Sequence, residues 1–354
     1  MGLSKIILNI ALRILDVLTF FVKQDSKRIT FVSLTQSELS SDFKKINDLL
    51  GSDEFHIHYN LIEFESNLLG QLKYFFNCLK QLIDLKKSKL VILNDNNYVV
   101  SFFKPEQTKV LQIWHAPGAV KKFGNQIKRQ YPIQNYDYVI CNSEYWKAIY
   151  SECFNVKEEQ VIVTGLPRMD DLLKDTTSDF YIRHPECKNK KLILYAPTFR
   201  GNIIDGLKSV CMDFDQLHLN EDEILLCKFH PLLKDMEINH KQVINVSKED
   251  LYDLMKVSHL LISDYSSVFF DYCLLEKPVI AFVPDYESYE KQIGFNIDLY
   301  SDFDGPICTN EQQLNEVIHC DLKIDSQFQR KFVEYTDGMN SYRVVNLIKQ
   351  IMNH

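Results

Sequence analysis

Short apolar runs alternate with amphipathic, helix-period stretches along almost the whole chain. Arg28 to Leu34 is a strand candidate, and Ser41 to Leu50 follows with helical spacing. Phe55 to Phe64 is extended in character, and Asn67 to Lys87 predicts a long helix. Leu90 to Leu93, Val110 to Trp114 and Tyr138 to Cys141 are short buried-strand patterns. Glu144 to Cys153 predicts a helix, and Val161 to Thr164 a strand that ends at Gly165. After a polar, irregular region from Asp175 to Lys190 the alternation restarts. Leu192 to Tyr195, Ile224 to Phe229, Val243 to Val246, Leu260 to Ser263 and Val279 to Val283 are its strands. From Asp325 onward strand character is lost, and closing helices are expected.

Strand–helix alternation in two blocks predicts an α/β protein of two doubly wound halves, each a parallel sheet covered by helices. The expected division is an N-terminal segment 1–27, a first Rossmann-like domain 28–170, a second 171–335, and a closing helix 336–354. Ligands of such sheets bind beyond the carboxyl ends of the strands, which with two sheets places the expected site in a cleft.

Ile6 to Val22 is apolar but interrupted by Asn9, Arg13 and Asp16, which argues against a membrane span. Two readings stand: an amphipathic helix lying on a membrane, or one packed on the first domain. A net charge of -8 argues against general nucleic-acid binding. The nine cysteines form no C-x-x-C pair and no histidine-spaced set, so a reducing compartment and no metal site are expected.

Polar clusters sit where predicted strands end. His115, after the run to Trp114 and before Ala116-Pro117-Gly118, is placed to take a proton near neutral pH. Arg168 opens a helix-like turn in Gly165-Leu166-Pro167-Arg168-Met169-Asp170 and either clamps phosphate or faces solvent. In Tyr195-Ala196-Pro197-Thr198-Phe199-Arg200, Thr198 is a donor to phosphate or base, and Arg200 an anion partner; a plain strand-exit turn is the competing reading. Lys228 and His230 share one face of an extended segment and suit a diphosphate. In Asp264-Tyr265-Ser266-Ser267-Val268-Phe269-Phe270-Asp271, two serines open a helical pattern. A helix start with unpaired N–H groups binds phosphate, and Asp271 lies at i+4 from Ser267 to meet ribose hydroxyls. Lys121 and Lys122, with Lys128 and Arg129, form a solvated basic face or meet an anionic acceptor or lipid headgroup.

Taken together these segments resemble the CDP-glycerol glycerophosphotransferase family of teichoic acid and capsule synthesis. The ordered motifs are Trp114-His115, Gly165 to Asp170, Tyr195 to Arg200, Lys228 to His230, and Asp264 to Asp271, within about residues 90–310. Ala116 stands where glycine is commoner, and Gly201 where an aspartate often follows the arginine. The resemblance implies a GT-B-like fold with two Rossmann-like domains around a cleft. It implies transfer of glycerol phosphate or ribitol phosphate from CDP-glycerol or CDP-ribitol to a lipid-linked or polymeric acceptor. No cofactor is implied, and the expected location is peripheral, on the cytoplasmic face of an anionic membrane. By position, His115 falls on the general base. Ala116, Pro117, Gly118, Arg168, Pro197, Thr198, Lys228, His230, Ser266, Ser267 and Asp271 fall on donor-binding positions, with His230 also assisting catalysis. A nucleotide-sugar glycosyltransferase and a non-catalytic nucleotide- or polymer-binding scaffold are the alternatives.

Overall fold

The structure is a computed structural model that describes residues 3–51, 54–65, 67–174, 179–202, 206–209, 212–229, 237–324 and 326–353. His230 lies outside them. The chain forms two compact units. The first comprises residues 1–116, 123–170 and 337–354, and the second residues 117–122 and 171–336.

The first unit holds six parallel strands: β1 (Asp25–Ser33), β2 (His56–Leu61), β3 (Ser88–Leu93), β4 (Lys109–Gln112), β5 (Tyr138–Cys141) and β6 (Val161–Val163). Their order is β2-β1-β3-β4-β5-β6. Central strands of a sheet covered on both faces read as continuous apolar runs, and Leu90 to Leu93 are accordingly fully buried. Each such side chain contributes roughly 1.5–3 kcal/mol on leaving water. Strand order reverses between β1 and β3, which makes the carboxyl ends of these two strands the switch point of the sheet.

Helix α1 (Leu3–Leu18) buries Leu8 and Leu12 against this unit, and Asn9 donates to the Tyr98 hydroxyl at 3.0 Å. Its other side leaves Ile6, Ile7, Ile10, Ile14, Val17 and Leu18 exposed, so packing consumes only part of the apolar surface. Helix α2 (Ser41–Leu50) starts at Ser40, whose hydroxyl accepts the Phe43 N–H at 3.2 Å. Helix α3 (Leu68–Lys87) packs on α1 and leaves Leu68, Leu69, Leu72 and Phe76 exposed near its start. Helices α4 (Tyr98–Phe103) and α5 (Trp146–Phe154) complete the first part of the unit.

The second unit holds β7 (Lys191–Ala196), the antiparallel hairpin β8 (Phe199–Asn202) and β9 (Gly206–Ser209), then β10 (Glu223–Cys227), β11 (Val243–Asn245), β12 (Leu260–Ser263), β13 (Val279–Phe282) and β14 (Ile307–Cys308). The parallel sheet runs β11-β10-β7-β12-β13-β14, so its switch point lies between β7 and β12. The hairpin and the two-residue β14 are additions to the expected strands. Short helices cover this sheet, among them α6 (Phe180–Arg183), α7 (Leu251–Val257), α8 (Val268–Tyr272), α9 (Tyr286–Gln292), α10 (Leu299–Asp302), α11 (Glu311–Val317) and α12 (Ser326–Phe332). The ring of Phe328 stacks on Phe270 at 5.5 Å and so fixes α12 on α8.

The final helix, α13 (Asn340–Asn353), returns to the first unit rather than closing as a separate body. Asp170 explains the return. Its buried carboxylate accepts the Asn340 and Ser341 N–H groups at 3.0 and 2.9 Å and the Ser341 hydroxyl at 2.6 Å. A carboxylate at a helix start satisfies orphan donors and suits the local dipole. Gly165 turns the chain toward this contact with φ of +73°, and a Cβ there would meet the Asn340 side chain at 2.4 Å.

Candidate active site

In the first unit, His115 follows β4 by three residues. Its Nδ1 lies 3.3 Å from the Asn94 carbonyl. A carbonyl only accepts, so Nδ1 carries the proton and Nε2 keeps its lone pair. The imidazole rests on the Trp114 ring at 4.0 Å, and Trp114 stacks on Phe123 at 4.9 Å. His115 keeps part of its surface exposed. Desolvation by the protein on its other sides lowers its proton affinity below that of free imidazole, and the Arg168 charge adds to this. The Asn94 bond opposes both.

Arg168 lies in the same cluster. Its guanidinium donates to the His115 carbonyl at 2.7 Å, and its backbone N–H donates to Asp42 at 2.8 Å. Asp42 is buried in the first turn of α2, with its second oxygen 3.7 Å from the guanidinium. Burial raises the Asp42 carboxyl against the pull of Arg168. The Ala116 carbonyl accepts the Tyr150 hydroxyl at 3.3 Å. His115, Ala116 and Arg168 therefore meet in one place.

Pro117 and Gly118 are buried and belong with the second unit. This short segment is tied down by the Asn296 N–H on the Val120 carbonyl at 2.8 Å and the Lys122 N–H on Gly294 at 3.0 Å. The two lysines separate in role. Lys122 is exposed, whereas Lys121 is half-buried with its ammonium 5.8 Å from the Tyr289 ring. Desolvation lowers the Lys121 pKa, while Asp264 raises it.

Asp264 organises the second unit's switch point. It accepts the Thr198 N–H and hydroxyl, both at 2.9 Å, and lies 3.0 Å from the Arg200 guanidinium. Arg200 also forms a bidentate pair with Asp285 at 2.7 and 2.9 Å, and lies 5.0 and 4.6 Å from the Tyr265 and Tyr289 rings. The anions that Arg200 meets are thus the protein's own. Burial opposes its charge, but its bonds to Asp285 and the field of Asp264 more than offset this. The Thr198 hydroxyl proton is committed to Asp264, and Pro197 beside it is buried.

Ser266 and Ser267 are half-buried in the turn after β12. The helix they open, α8, has only five residues, so its dipole is weaker than the expected helix start supplies. Asp271 is buried below them and accepts the Tyr252 hydroxyl at 2.7 Å. Lys228 donates to the carbonyls of Ser247 and Glu249 at 2.7 and 2.6 Å, which commits two of its three donors. Burial lowers its pKa.

Asp42, Asn94, Asp285 and Tyr289 do not stand out in the sequence, because each acts on a partner distant along the chain. Asp264 carried one signal: it directly follows a buried four-residue strand. Asp95 lies two residues beyond the six-residue β3.

Two parallel, doubly wound units of this strand order define a GT-B-like α/β protein. The chain belongs to the CDP-Glycerol:Poly(glycerophosphate) glycerophosphotransferase family, whose pattern matches residues 14–350. It is 29% identical to the teichoic acid ribitol-phosphate primase of Bacillus spizizenii, over 92% of this chain and 91% of that protein. It is 28% identical to the teichoic acid glycerol-phosphate primase of Bacillus subtilis, over the whole of both. Among solved structures it superposes on the wall teichoic acid polymerase TagF with a TM-score of 0.70 at 23% identity, over 98% of this chain and 95% of that one. That likeness carries the fold.

Proposed function

We propose that this chain transfers a polyol phosphate, glycerol phosphate or ribitol phosphate, from a CDP-linked donor to a hydroxyl of a teichoic acid or capsule-type acceptor, releasing CMP. The observation that carries the chemistry is the His115 arrangement. Its Nδ1 is held by the Asn94 carbonyl, which leaves Nε2 as a base. Family membership and the two primases supply the substrate class.

In this reading Nε2 of His115 removes the acceptor hydroxyl proton as that oxygen attacks the distal phosphorus of the donor. The bond from that phosphorus to the bridging oxygen breaks, and CMP leaves. Its growing charge is met by His230, the remaining donor of Lys228, and the turn at Ser266 and Ser267. Pro197 and Thr198 border that turn on the donor side, with Ala116, Pro117 and Gly118 as the loop that carries the base. Arg168 holds the carbonyl of His115. Asp271, gripped by Tyr252, supports the turn from below and orients the ribose. The transfer needs no cofactor, because the donor already carries the activated phosphate.

The site of action we assign is the cytoplasmic face of a membrane. Among the described residues no helix is long and apolar enough to cross one. Support comes from α1 and the start of α3, which expose a row of apolar side chains, extended by Phe20 and Phe21, next to Lys5, Arg13 and Lys23. The exposed Lys122 suits an anionic headgroup or acceptor.

A donor panel tests the reading. CMP release with CDP-glycerol or CDP-ribitol and a lipid-linked acceptor supports it, and mass analysis of the product names the polyol. Turnover confined to nucleotide sugars would replace it with glycosyl transfer, and CMP binding without turnover on any donor with a scaffold.

A further inference from the structure

The two switch points share one device. In the second unit Asp264, at the end of β12, accepts the N–H of Thr198, which lies just beyond β7. In the first unit Asp95, beyond β3, accepts the N–H of Leu34, which lies just beyond β1, at 2.5 Å. Each carboxylate thus ties together the two strands between which the sheet order reverses.

The two differ in what else they hold. Asp264 has both oxygens engaged, by Thr198 and Arg200. Asp95 does not. Among the described residues its Oδ1 has no hydrogen-bond partner, although the residue is 7% exposed. Neither does Oδ1 of Asn94, at 4% exposed, nor Oδ1 of Asn96. Gln112, opposite Leu93 in the sheet and fully buried, has both amide atoms unpaired among the described residues. A buried polar atom without a partner costs about 1–3 kcal/mol, so five such atoms on these four residues mark a binding surface or a repeated loss. Four are oxygens, three of them on Asn94, Asp95 and Asn96 beside the carbonyl that holds His115, and all accept once Asp95 is ionised, above about pH 7. Ligands of doubly wound sheets bind at such a switch point.

The flanks define the ligand further. Arg129 has a buried Nε without a partner among the described residues. Arg129 and Asp95 both act electrostatically on Tyr131 and Tyr136, and the Tyr131 hydroxyl donates to the Asn96 carbonyl at 3.3 Å. A row of acceptors with one cation beside it matches vicinal hydroxyls followed by a phosphate.

Resting on the transfer reading above, we infer that Asn94, Asp95 and Asn96 receive the hydroxyl groups of the acceptor's terminal polyol, with Arg129 on its adjoining phosphate. Hydroxyls donate into the unpaired oxygens, which sets the attacking oxygen toward His115. Asp95 is a binding and positioning residue in this scheme.

The test uses the full chain and two readouts. First, a soluble glycerol-phosphate trimer is titrated without donor, so that binding is read independently of turnover. Second, acceptor KM, donor KM and acceptor-free hydrolysis of the CDP-polyol are compared for wild type, Asp95→Asn, Asn96→Ala and Arg129→Gln. Asp95→Asn keeps an oxygen for the Leu34 N–H, and thermal melting checks each fold. At pH 8, where Asp95 is ionised, the expected result is about 10-fold weaker trimer binding and higher acceptor KM, the loss typical of one charge-assisted hydrogen bond. Donor KM and hydrolysis stay within about twofold. Arg129→Gln should matter for the trimer and not for free glycerol. Unchanged trimer binding in folded Asp95→Asn and Arg129→Gln overturns the subsite while leaving the transfer reading intact. Absence of turnover on any CDP-polyol, with trimer binding retained, overturns the transfer reading instead. If Asp95→Asn fails to fold, Asn96→Ala and Arg129→Gln decide alone, and unchanged binding in both overturns the subsite.

Discussion

The Arg168 guanidinium donates to the backbone carbonyl of His115 at 2.7 Å, while Asp42 holds the Arg168 backbone N–H at 2.8 Å. The arginine therefore acts on the loop that carries the imidazole. Asp42→Asn should lower kcat about 10–100-fold, because small misplacements of a base are costly. Donor KM should stay near wild type. A matching rise in donor KM would show instead that Arg168 contacts the donor directly.

His115 should dominate the pH profile. Desolvation and Arg168 disfavour its protonated form, so the ring stays neutral below the pKa of 6.5 of a free histidine. kcat/KM should be flat from pH 8 down to at least 6.5 and fall only at more acid pH. His115→Ala should lose roughly 10²–10⁴-fold in kcat at pH 7.5 with donor affinity retained. Arg168→Gln removes a cation, so its acid limb should move upward. A limb that stays in place would exclude Arg168 as a cause of the shift.

The strands were legible because the middle of a buried parallel strand is apolar throughout, and Leu90 to Leu93 and Leu260 to Ile262 read accordingly. The hairpin Phe199–Asn202 with Gly206–Ser209 was not, since its pairing rests on backbone and its residues show no alternation. His115 was legible from its place after a strand. Its partners were not: Asp42 lies 126 residues from Arg168, and Asp285 lies 85 from Arg200. Hydrophobic periodicity reports burial, and polar partnerships across such distances leave no mark on it. The short α8 shows the converse, because the helical pattern that Ser266 and Ser267 open holds α-helical form only to Tyr272 and tightens into a 3-10 turn at Cys273–Leu275.

Arg200 of the second unit has two carboxylates and two aromatic rings around it. Arg200→Gln should destabilise by on the order of 3–5 kcal/mol, since it strands the buried Asp264. Arg200→Lys should recover only part, because an ammonium cannot make the bidentate pair with Asp285. Urea unfolding of both variants checks the order. Equal stabilities would mean that geometry at Asp285 adds nothing.

Ile10 and Val17 lie on the side of α1 that packing leaves exposed, at 53% and 70%, while Leu8 and Leu12 are buried. The double variant Ile10→Asp with Val17→Asp should therefore melt within about 2 °C of wild type, as exposed substitutions do. Its co-sedimentation with vesicles containing anionic lipid should fall at least about tenfold, through lost apolar insertion and added repulsion. Leu12→Asp should unfold the packing instead. Undiminished sedimentation of the double variant would assign the exposed face another role.

Asp95 couples the first unit's stability to pH. Burial raises its carboxyl from the usual 3.8 to about 7, and the Leu34 N–H only partly offsets this. The unfolded chain releases this proton near pH 4, whereas the folded chain keeps it to about pH 7. Between those values the folded state binds more protons, so stability is full below pH 4 and declines as pH rises. The loss accumulates to a few kcal/mol by pH 8. Asp95→Asn is neutral throughout. It should melt higher than wild type at pH 8 and lose that advantage toward pH 4.5, in urea midpoints taken across the range. Parallel pH dependences for the two proteins would mean that a donor outside the described residues already holds the carboxylate in its charged form.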